Sequence, residues 1–273
     1  MTATTTTTAA DRPSGIGFRD FTRHRELFWT LVERQLRLRS KRSLMGVLWP
    51  LISPLFLLVL YSFVFSSVFE VPVDDYGVYL FAGLLPWTFL VQSVNDSLQS
   101  ISFEPDLVRR APLPYQFLPL ARVAVMIIPF AFLLVVFVGY VTLVCDRPIQ
   151  LELLPLLLVP IASSLLLVAT VAMFLALIDV FNRDLRYLLN NLLTVWFFLV
   201  PIVYHRRMVS DQVQWLTALD PMRWIIDQFR DVLYDGEVGR GWAYVATLAV
   251  CTVIFVGGLA LFRRLAVDLA KDV

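Results

Sequence analysis

The chain has 273 residues, of which 58% are hydrophobic and 16% are charged, and its formal net charge is +1 at pH 7. This composition excludes an ordinary soluble domain and indicates an integral membrane protein. The small net charge gives no global electrostatic reason to expect a nucleic acid partner. Both cysteines, Cys145 and Cys251, lie in apolar segments, which favours buried thiols over a disulfide or a metal site.

The N-terminal region divides into a tail and an amphipathic helix. Residues 1–17 begin with a Thr- and Ala-rich stretch without a basic region leading into an apolar run, so they predict a disordered tail and not a signal peptide. In residues 18–42, apolar positions such as Leu27 and Leu31 recur at helical spacing among arginines. This pattern predicts a cytoplasmic interface helix, either a membrane-surface anchor or a contact surface for a cytoplasmic partner.

An uncharged stretch at residues 47–69 follows a cluster of Arg and Lys residues. As a helix it would be roughly 34 Å long, enough to cross a bilayer, and the basic cluster holds its start on the cytoplasmic side. Further apolar segments predict an all-α membrane protein with six transmembrane helices in residues 43–264. The spans are predicted at about 47–69, 78–94, 117–144, 151–178, 188–204 and 242–262. Residues 265–273 then form a tail, and both termini are cytoplasmic.

Two connecting segments have patterns of their own. Residues 104–114 are charged and bounded by prolines, with acidic residues first and arginines last, which predicts a short cytoplasmic helix.

Residues 205–241 contain a good N-cap, Asp220, followed by Pro221. An apolar face then continues to Gly236, and the opposite face carries Arg223, Asp227, Arg230 and Asp231. This pattern predicts a re-entrant or interfacial helix that does not cross the membrane. A shorter helix upstream is predicted to pair with it.

Several kinds of chemistry are missing from the sequence. No predicted span has a charged residue in its middle third, which argues against an ion-coupled carrier or a proton channel. Only two histidines are present, and no metalloprotease or hydrolase motif occurs. The run Gly236–Gly241 lacks the Lys-Ser/Thr of a phosphate loop, so it predicts a turn. We therefore expect no catalytic residue, metal or cofactor in this chain, and ATP and Mg²⁺ only on a separate subunit.

Aromatic side chains are frequent in spans one, two and five. They are lipid-facing or packing residues in one interpretation, and rigid faces along which a sugar polymer slides in the other. The candidate channel aromatics are Trp49, Phe56, Tyr61, Phe63, Trp87, Trp196, Phe197 and Tyr204.

Four blocks of sequence carry a family resemblance: Arg42–Pro54, Ala82–Phe89, Phe181–Tyr187 and Trp196–Tyr204. Together they resemble the membrane subunit of ABC-2 type polysaccharide exporters, which include O-antigen, teichoic-acid and galactan transporters. The resemblance implies a homodimer in the bacterial inner membrane that works with two copies of a phosphate-loop ATPase to export a lipid-linked glycan.

The resemblance also implies roles by position. Residues 104–112 resemble the coupling helix that docks on the ATPase, and residues 210–235 resemble the paired outer gate helices. The implied ATPase-coupling residues are Glu104, Asp106, Arg109, Arg110, Arg183, Asp184 and Arg186. The implied outer gate residues are Trp215, Asp220, Pro221, Trp224 and Phe229.

Other functions remain open from the sequence. One is a membrane enzyme acting on a lipid-linked intermediate, with Asp211, Asp220 or Asp227 in a re-entrant catalytic loop. Another is an ABC-2 exporter of drugs or small lipids. For the glycan itself, the excess of Arg over Lys suits a GC-rich bacterium, so galactan is preferred over O-antigen or teichoic acid.

Overall fold

The structure is a computed structural model that describes residues 25–40, 52, 56, 60, 63, 64, 75–103, 114–143, 150, 152–182, 184–204 and 217–272. The predicted tail at 1–17, the start of the interface helix, most of span one and the predicted cytoplasmic helix at 104–112 lie outside the described residues.

The described residues form helices and connecting turns, with no strand among them. In chain order the helices are α1 Arg25–Ser40, α2 Tyr76–Leu98, α3 Phe117–Leu143, α4 Leu158–Phe181, α5 Leu185–Leu199, α6 Pro221–Arg230 and α7 Gly241–Asp272. A 3₁₀ turn at Leu154–Leu157 leads into α4, and a π-helical turn at Asp231–Asp235 follows α6. The all-α fold class is therefore confirmed for the part of the chain that the structure describes.

Within the described ranges, four helical stretches are long and apolar enough to cross a membrane: Tyr76–Leu98, Phe117–Leu143, Leu154–Phe181 and Gly241–Ala266. They coincide with predicted spans two, three, four and six. In the region of span one, residues 52, 56, 60 and 63 are helical, and their spacing puts them on one helix face.

Span five is shorter than predicted. The sequence suggested residues 188–204, whereas α5 covers Leu185–Leu199, about 22 Å of helix against roughly 30 Å of hydrocarbon. The helix ends because Val200 is extended, with φ −79° and ψ 132°, as a residue before proline prefers to be. Helix α7 is longer than predicted span six, because it continues beyond the predicted end at residue 262 to Asp272.

Helix α2 is central to the bundle and is buried along most of its length against α3 and α4, while α7 packs mainly along α4. The apolar face of α1 does not lie free on a membrane surface: Leu31 and Val32 are buried in a cluster that includes Phe117 and Leu118 of α3. Helix α6 contacts α2, α4 and α7. This packing brings the predicted outer gate helix into contact with the spans.

Candidate functional site

Helix α6 begins as its sequence predicts. One carboxylate oxygen of Asp220 accepts a hydrogen bond from the backbone N–H of Met222 at 2.8 Å, and Pro221 is the first helical residue. The helix ends in the π-helical turn, which Gly236 closes with φ 67°, a left-handed conformation that glycine adopts without strain. The predicted cap is confirmed, and it fixes where α6, the predicted outer gate helix, starts.

The environment of α6 differs from the expected interfacial one. Met222, Ile225 and Phe229 are fully buried, and the Phe229 ring meets Phe130 of α3 edge-to-face. Arg223 and Arg230, expected on a solvated polar face, are buried as well. The prediction of a solvated face failed here because helical periodicity does not distinguish a charge in water from one whose partners are supplied by distant parts of the fold.

Each guanidinium nitrogen of Arg230 has such a partner. Its Nη1 donates to the carbonyl of Pro201 and its Nη2 to that of Ile202, both at 2.7 Å. Its Nε donates to the carbonyl of Tyr79 at 3.4 Å, and the guanidinium carbon lies 3.7 Å from the centroid of the Tyr79 ring. Arg230 therefore joins α6 to α2 and to the residues after α5.

Other polar residues attach α6 and its surroundings to neighbouring helices. Gln228 donates to the hydroxyl of Thr247 on α7 at 2.7 Å. Arg223 donates to the hydroxyl of Thr217 at 2.8 Å and pairs with Asp227 at 3.7 Å. Asp227 and Asp220 thus have ordinary structural partners, which weakens the catalytic-loop alternative, while its third candidate, Asp211, lies outside the described residues.

Trp196 of α5 and Asp220 are brought into direct contact. The indole Nε1 donates to Asp220 Oδ2 at 2.6 Å, while the other oxygen of this carboxylate caps α6. The indole also meets Trp87 of α2 edge-to-face, with ring centroids 5.5 Å apart. Burial raises the pKa of Asp220, and these two hydrogen bonds oppose the shift. A candidate channel residue and a candidate gate residue therefore share one hydrogen bond.

The candidate channel aromatics occupy different environments. Phe56 is 66% exposed and Phe63 is 64% exposed in this chain. Trp87 and Phe197 are instead buried, with ring centroids 5.7 Å apart, so they pack inside the subunit. The hydroxyl of Tyr204 donates to the carbonyl of Phe198 at 2.8 Å, which stabilises the end of α5. Trp49 and Tyr61 lie outside the described residues.

Two of the remaining gate residues are described. Trp224 donates its indole N–H to the carbonyl of Ala218 at 2.9 Å, which folds the approach to α6 back onto the helix. Phe229 lies in the core, as given above. Trp215 lies outside the described residues.

On the side of the bundle that is predicted to be cytoplasmic, Arg186 is engaged within the chain. Its Nε donates to Asp179 Oδ1 at 3.2 Å, and its guanidinium lies over the Phe103 ring at 5.2 Å. The fully buried Asp179 also accepts from the hydroxyl of Ser102 at 2.6 Å. Of the other implied coupling residues, Asp184 is exposed. Glu104, Asp106, Arg109, Arg110 and Arg183 lie outside the described residues.

Sequence reasoning missed Asp179, which it placed in a cytoplasmic loop. The available signal was a carboxylate between two apolar residues, Ile178 and Val180, seven residues before Arg186. Burial of a carboxylate is costly unless it is paired, so apolar neighbours on both sides of Asp179 point to a partner of opposite charge such as Arg186.

The interface helix α1 is attached to the bundle by a second missed ion pair. Arg39 Nη2 lies 2.6 Å from Asp96 Oδ1, at the end of α2. Arg122 of α3 donates to the backbone carbonyl of Asp96 at 2.9 Å. Arg39 is therefore paired with a neighbouring helix, whereas the sequence suggested that the arginines here meet lipid headgroups.

Metal ligands are not clustered in the part of the chain that the structure describes: no group of three or more His, Cys, Asp or Glu side chains is placed to hold an ion. Cys251 is a buried free thiol, as predicted. Cys145 lies outside the described residues.

The part of the fold that the structure describes defines a class: an all-helical membrane protein in which the buried helix α6 is fastened to several spans. Comparison with known proteins is more specific. The sequence profile of the family described as "ABC-2 type transporter" matches residues 26–234. This chain therefore belongs to the ABC-2 type transporter family.

Curated relatives match over nearly their whole length. The O-antigen export system permease protein RfbA of Myxococcus xanthus is 27% identical over 272 residues, covering 93% of this chain and 98% of that protein. A protein of the same description from Klebsiella pneumoniae is 25% identical over 247 residues, covering 90% of this chain and 94% of that protein. These relatives are described as permease proteins, that is, transport subunits.

Proposed function

We propose that this chain is the transmembrane subunit of an ATP-driven exporter that moves a lipid-linked cell-envelope polysaccharide out of the cytoplasm across the inner membrane. The observation that carries the proposal is the end-to-end similarity to O-antigen export permeases, with 93% and 98% of the two chains aligned.

The exposed face of α5 supports a polar path beside this helix. Asn190, Asn191 and Thr194 are exposed in the single chain. On the same helix, Tyr187 is 79% exposed and Phe198 is 57% exposed. Side-chain amides are costly to leave in hydrocarbon, so such a face belongs against water or another polar surface.

A second copy of this chain would provide that environment. Two α5 faces opposite each other would enclose polar groups that can be hydrated and aromatic rings that can contact sugar C–H surfaces. Helix α7 is exposed along most of its length and would face lipid. The exposed Phe56 and Phe63 of span one extend the apolar part of such a lining. The chemistry of the exposed face thus supports a homodimer.

The ATPase belongs to a separate chain in this proposal. No phosphate loop occurs anywhere in the 273 residues. Residues 104–112 would dock on the ATPase, with Glu104, Asp106, Arg109 and Arg110 in contact. Arg183 and Asp184 would make a second contact, and the Arg186–Asp179 pair would hold that second loop to the bundle.

The proposed topology has six spans and both termini in the cytoplasm. The four long apolar helices, the short α5 and the stretch at 47–69 make up the six, and α6 reaches into the bundle without crossing it. The relatives' names support an O-antigen polymer as the glycan, whereas the galactan preferred from the sequence rests on the excess of Arg over Lys.

The test is co-purification of this chain with a phosphate-loop ATPase from the same organism. We expect a stable complex of two permease and two ATPase subunits whose ATP hydrolysis rises when lipid-linked glycan is added. Changing Arg109 and Arg110 to Glu should separate ATP hydrolysis from export. Normal export by that variant would reject the docking role of 104–112, and the absence of any ATPase partner would reject the proposal.

A further inference from the structure

The chain after α5 is irregular and buried. Residues 200–203 follow the last helical residue, Leu199, and all four are buried among α2, α6 and the rest of the core. Irregular backbone at membrane depth needs hydrogen-bond donors from the protein, because lipid supplies none. Where these carbonyl groups find their donors therefore decides what this segment is attached to.

Side chains from two other elements supply the donors. Arg230 donates to the carbonyls of Pro201 and Ile202 at 2.7 Å each. Tyr76 donates to the carbonyl of Val203 at 2.7 Å, and Tyr79 to that of Tyr204 at 3.2 Å. Four successive carbonyls are thus held by the set Arg230, Tyr76 and Tyr79, which we call the carbonyl clamp.

The clamp depends on the planar shape of arginine. A guanidinium directs two parallel N–H groups at two neighbouring carbonyls and can stack on an aromatic ring, as Arg230 does on Tyr79. Space for it comes from Gly83 on α2, where a Cβ atom would lie 2.9 Å from Arg230 Nη2. A lysine at position 230 would be a single point charge without the fork.

A second attachment joins the same two elements at the other end of α6. Trp196 of α5 donates to Asp220, the cap of α6, at 2.6 Å. Since α6 has ten residues, the Asp220 and Arg230 attachments are separated by roughly 15 Å. Two connections at opposite ends of a helix prevent it from pivoting about either one.

We propose that Arg230 is a positioning residue: through the carbonyl clamp it fixes the outer end of α5 to the gate helix α6, so that the two move as one body during transport. The contacts that form the carbonyl clamp are independent of any function, whereas the role of the clamp in transport rests on the proposed function. The face of α5 that carries Asn190 and Thr194 then shifts only when the gate shifts.

The attachment can be measured on the purified chain in lipid nanodiscs, without ATPase or glycan. After replacement of Cys145 and Cys251 by Ala, spin labels are placed at Val195 and Glu237, both exposed; Glu237 is bonded through its backbone N–H to Asp231 at the end of α6. A reference pair at Leu158 and Val245 reports on α4 and α7. We expect Arg230→Met to broaden the first distance distribution and to leave the reference pair unchanged.

Gly83→Ala provides an independent perturbation, because it displaces the guanidinium without changing Arg230. Its matched control is Gly139→Ala, where the added Cβ meets nothing within 4 Å. Tyr79→Phe removes one donor and keeps the ring under the guanidinium, so it should broaden the distribution less. If Arg230→Met does not fold, the distance distributions of Gly83→Ala and Tyr79→Phe test the clamp instead. An unchanged 195–237 distance, or equal broadening of both pairs, would overturn the clamp.

The part in transport is tested in the complex with the ATPase. We expect Arg230→Met to lower glycan export per ATP hydrolysed by a factor within about 2–30, the fold-change that corresponds to the 0.5–2 kcal/mol by which single substitutions typically alter coupling, with Arg230→Lys intermediate. Arg240→Met, at an exposed arginine of the same segment, is the control. A broadened distance with unchanged export per ATP would reject the positioning role. Failure of the unmodified complex to export glycan would reject the proposed function while leaving the distance result intact.

Discussion

The indole N–H of Trp196 donates to the carboxylate of Asp220 at 2.6 Å, although 24 residues of chain separate them. One oxygen of Asp220 receives this bond and the other caps α6, so the aspartate serves two elements at once. Because Trp196 also contacts Trp87, the relationship connects α2, α5 and the start of the gate helix.

The two functions of Asp220 are separable by substitution. Asn is a good N-cap, so Asp220→Asn should keep the cap and lose only the bond to Trp196, because its amide NH₂ cannot accept from the indole N–H. Asp220→Ala should lose both and cost about 1 kcal/mol more. Trp196→Phe keeps a ring and removes the N–H, at a cost of about 1–2 kcal/mol. Denaturation in detergent and hydrogen exchange of the Met222 amide measure these effects. Equal stability of the Asn and Ala variants would contradict the capping role.

The pair Arg186–Asp179 should respond asymmetrically to removal of its members. Asp179 is fully buried, whereas the Arg186 side chain is about one-third exposed. Arg186→Met leaves a buried carboxylate with only Ser102 as a partner. We expect this to lower the free energy of unfolding by about 2 kcal/mol, less than for a fully buried pair because Arg186 is partly solvated. Asp179→Asn should cost less, since the arginine can turn to water.

The double variant Arg186→Met/Asp179→Asn checks this reasoning. We expect it to recover part of the stability that Arg186→Met loses, because the buried charge is then gone. Asp184→Asn, at an exposed site in the same loop, is the control and should be neutral. Additive losses in the double variant would show that the two residues act separately.

The exposed amides of α5 should matter for export. Replacing Asn190 and Asn191 by Leu removes polar groups from the proposed path, and we expect about a tenfold loss of export, equivalent to about 1.4 kcal/mol in the barrier. Ser at both positions keeps the polarity and should retain most of the activity. Glycan at the cell surface is the measurement, with permease abundance in the membrane checked in parallel. If the Leu variant exports normally, this face contacts lipid.

Asp231, in the turn after α6, should make stability depend on pH. Burial raises the pKa of this carboxyl from 3.8 to about 6, with Asp227 and Asp235 adding to the shift and the hydroxyl of Tyr244 opposing it. Between these two pH values, the folded state still binds a proton that the unfolded state has released. The free energy of unfolding should therefore fall as pH rises from about 4 to about 6. Thermal unfolding across this range should show the decline in the native chain and not in Asp231→Asn, while Asp235→Asn should largely retain it.

Much of the bundle could be predicted because bilayer crossing imposes a simple rule on sequence. α2, α3, α4 and α7 lie within a few residues of the expected spans at most of their ends, since long uncharged runs have few alternatives. The start of α6 was equally accessible, because Asp220 followed by Pro221 is a local signal. The early end of α5 was also visible in Pro201, which disfavours a helical Val200.

The partners of buried charges could not be predicted in the same way. Arg230 was assigned to a polar face, yet its partners Tyr79 and Pro201 are 151 and 29 residues away in the chain. Asp179 was assigned to a loop, yet it accepts from Ser102, 77 residues earlier. Such pairs arise from tertiary packing, whereas a pattern of hydrophobicity assigns every charged residue to a solvent-exposed position.

The account rests on a permease that moves glycan only when a separate ATPase acts on it. The most direct test reconstitutes the chain in proteoliposomes with lipid-linked glycan and measures glycan that becomes accessible on the opposite side. We predict no movement by the chain alone under any ion gradient, and ATP-dependent movement when the ATPase is added. Gradient-driven movement by the isolated chain would contradict the account.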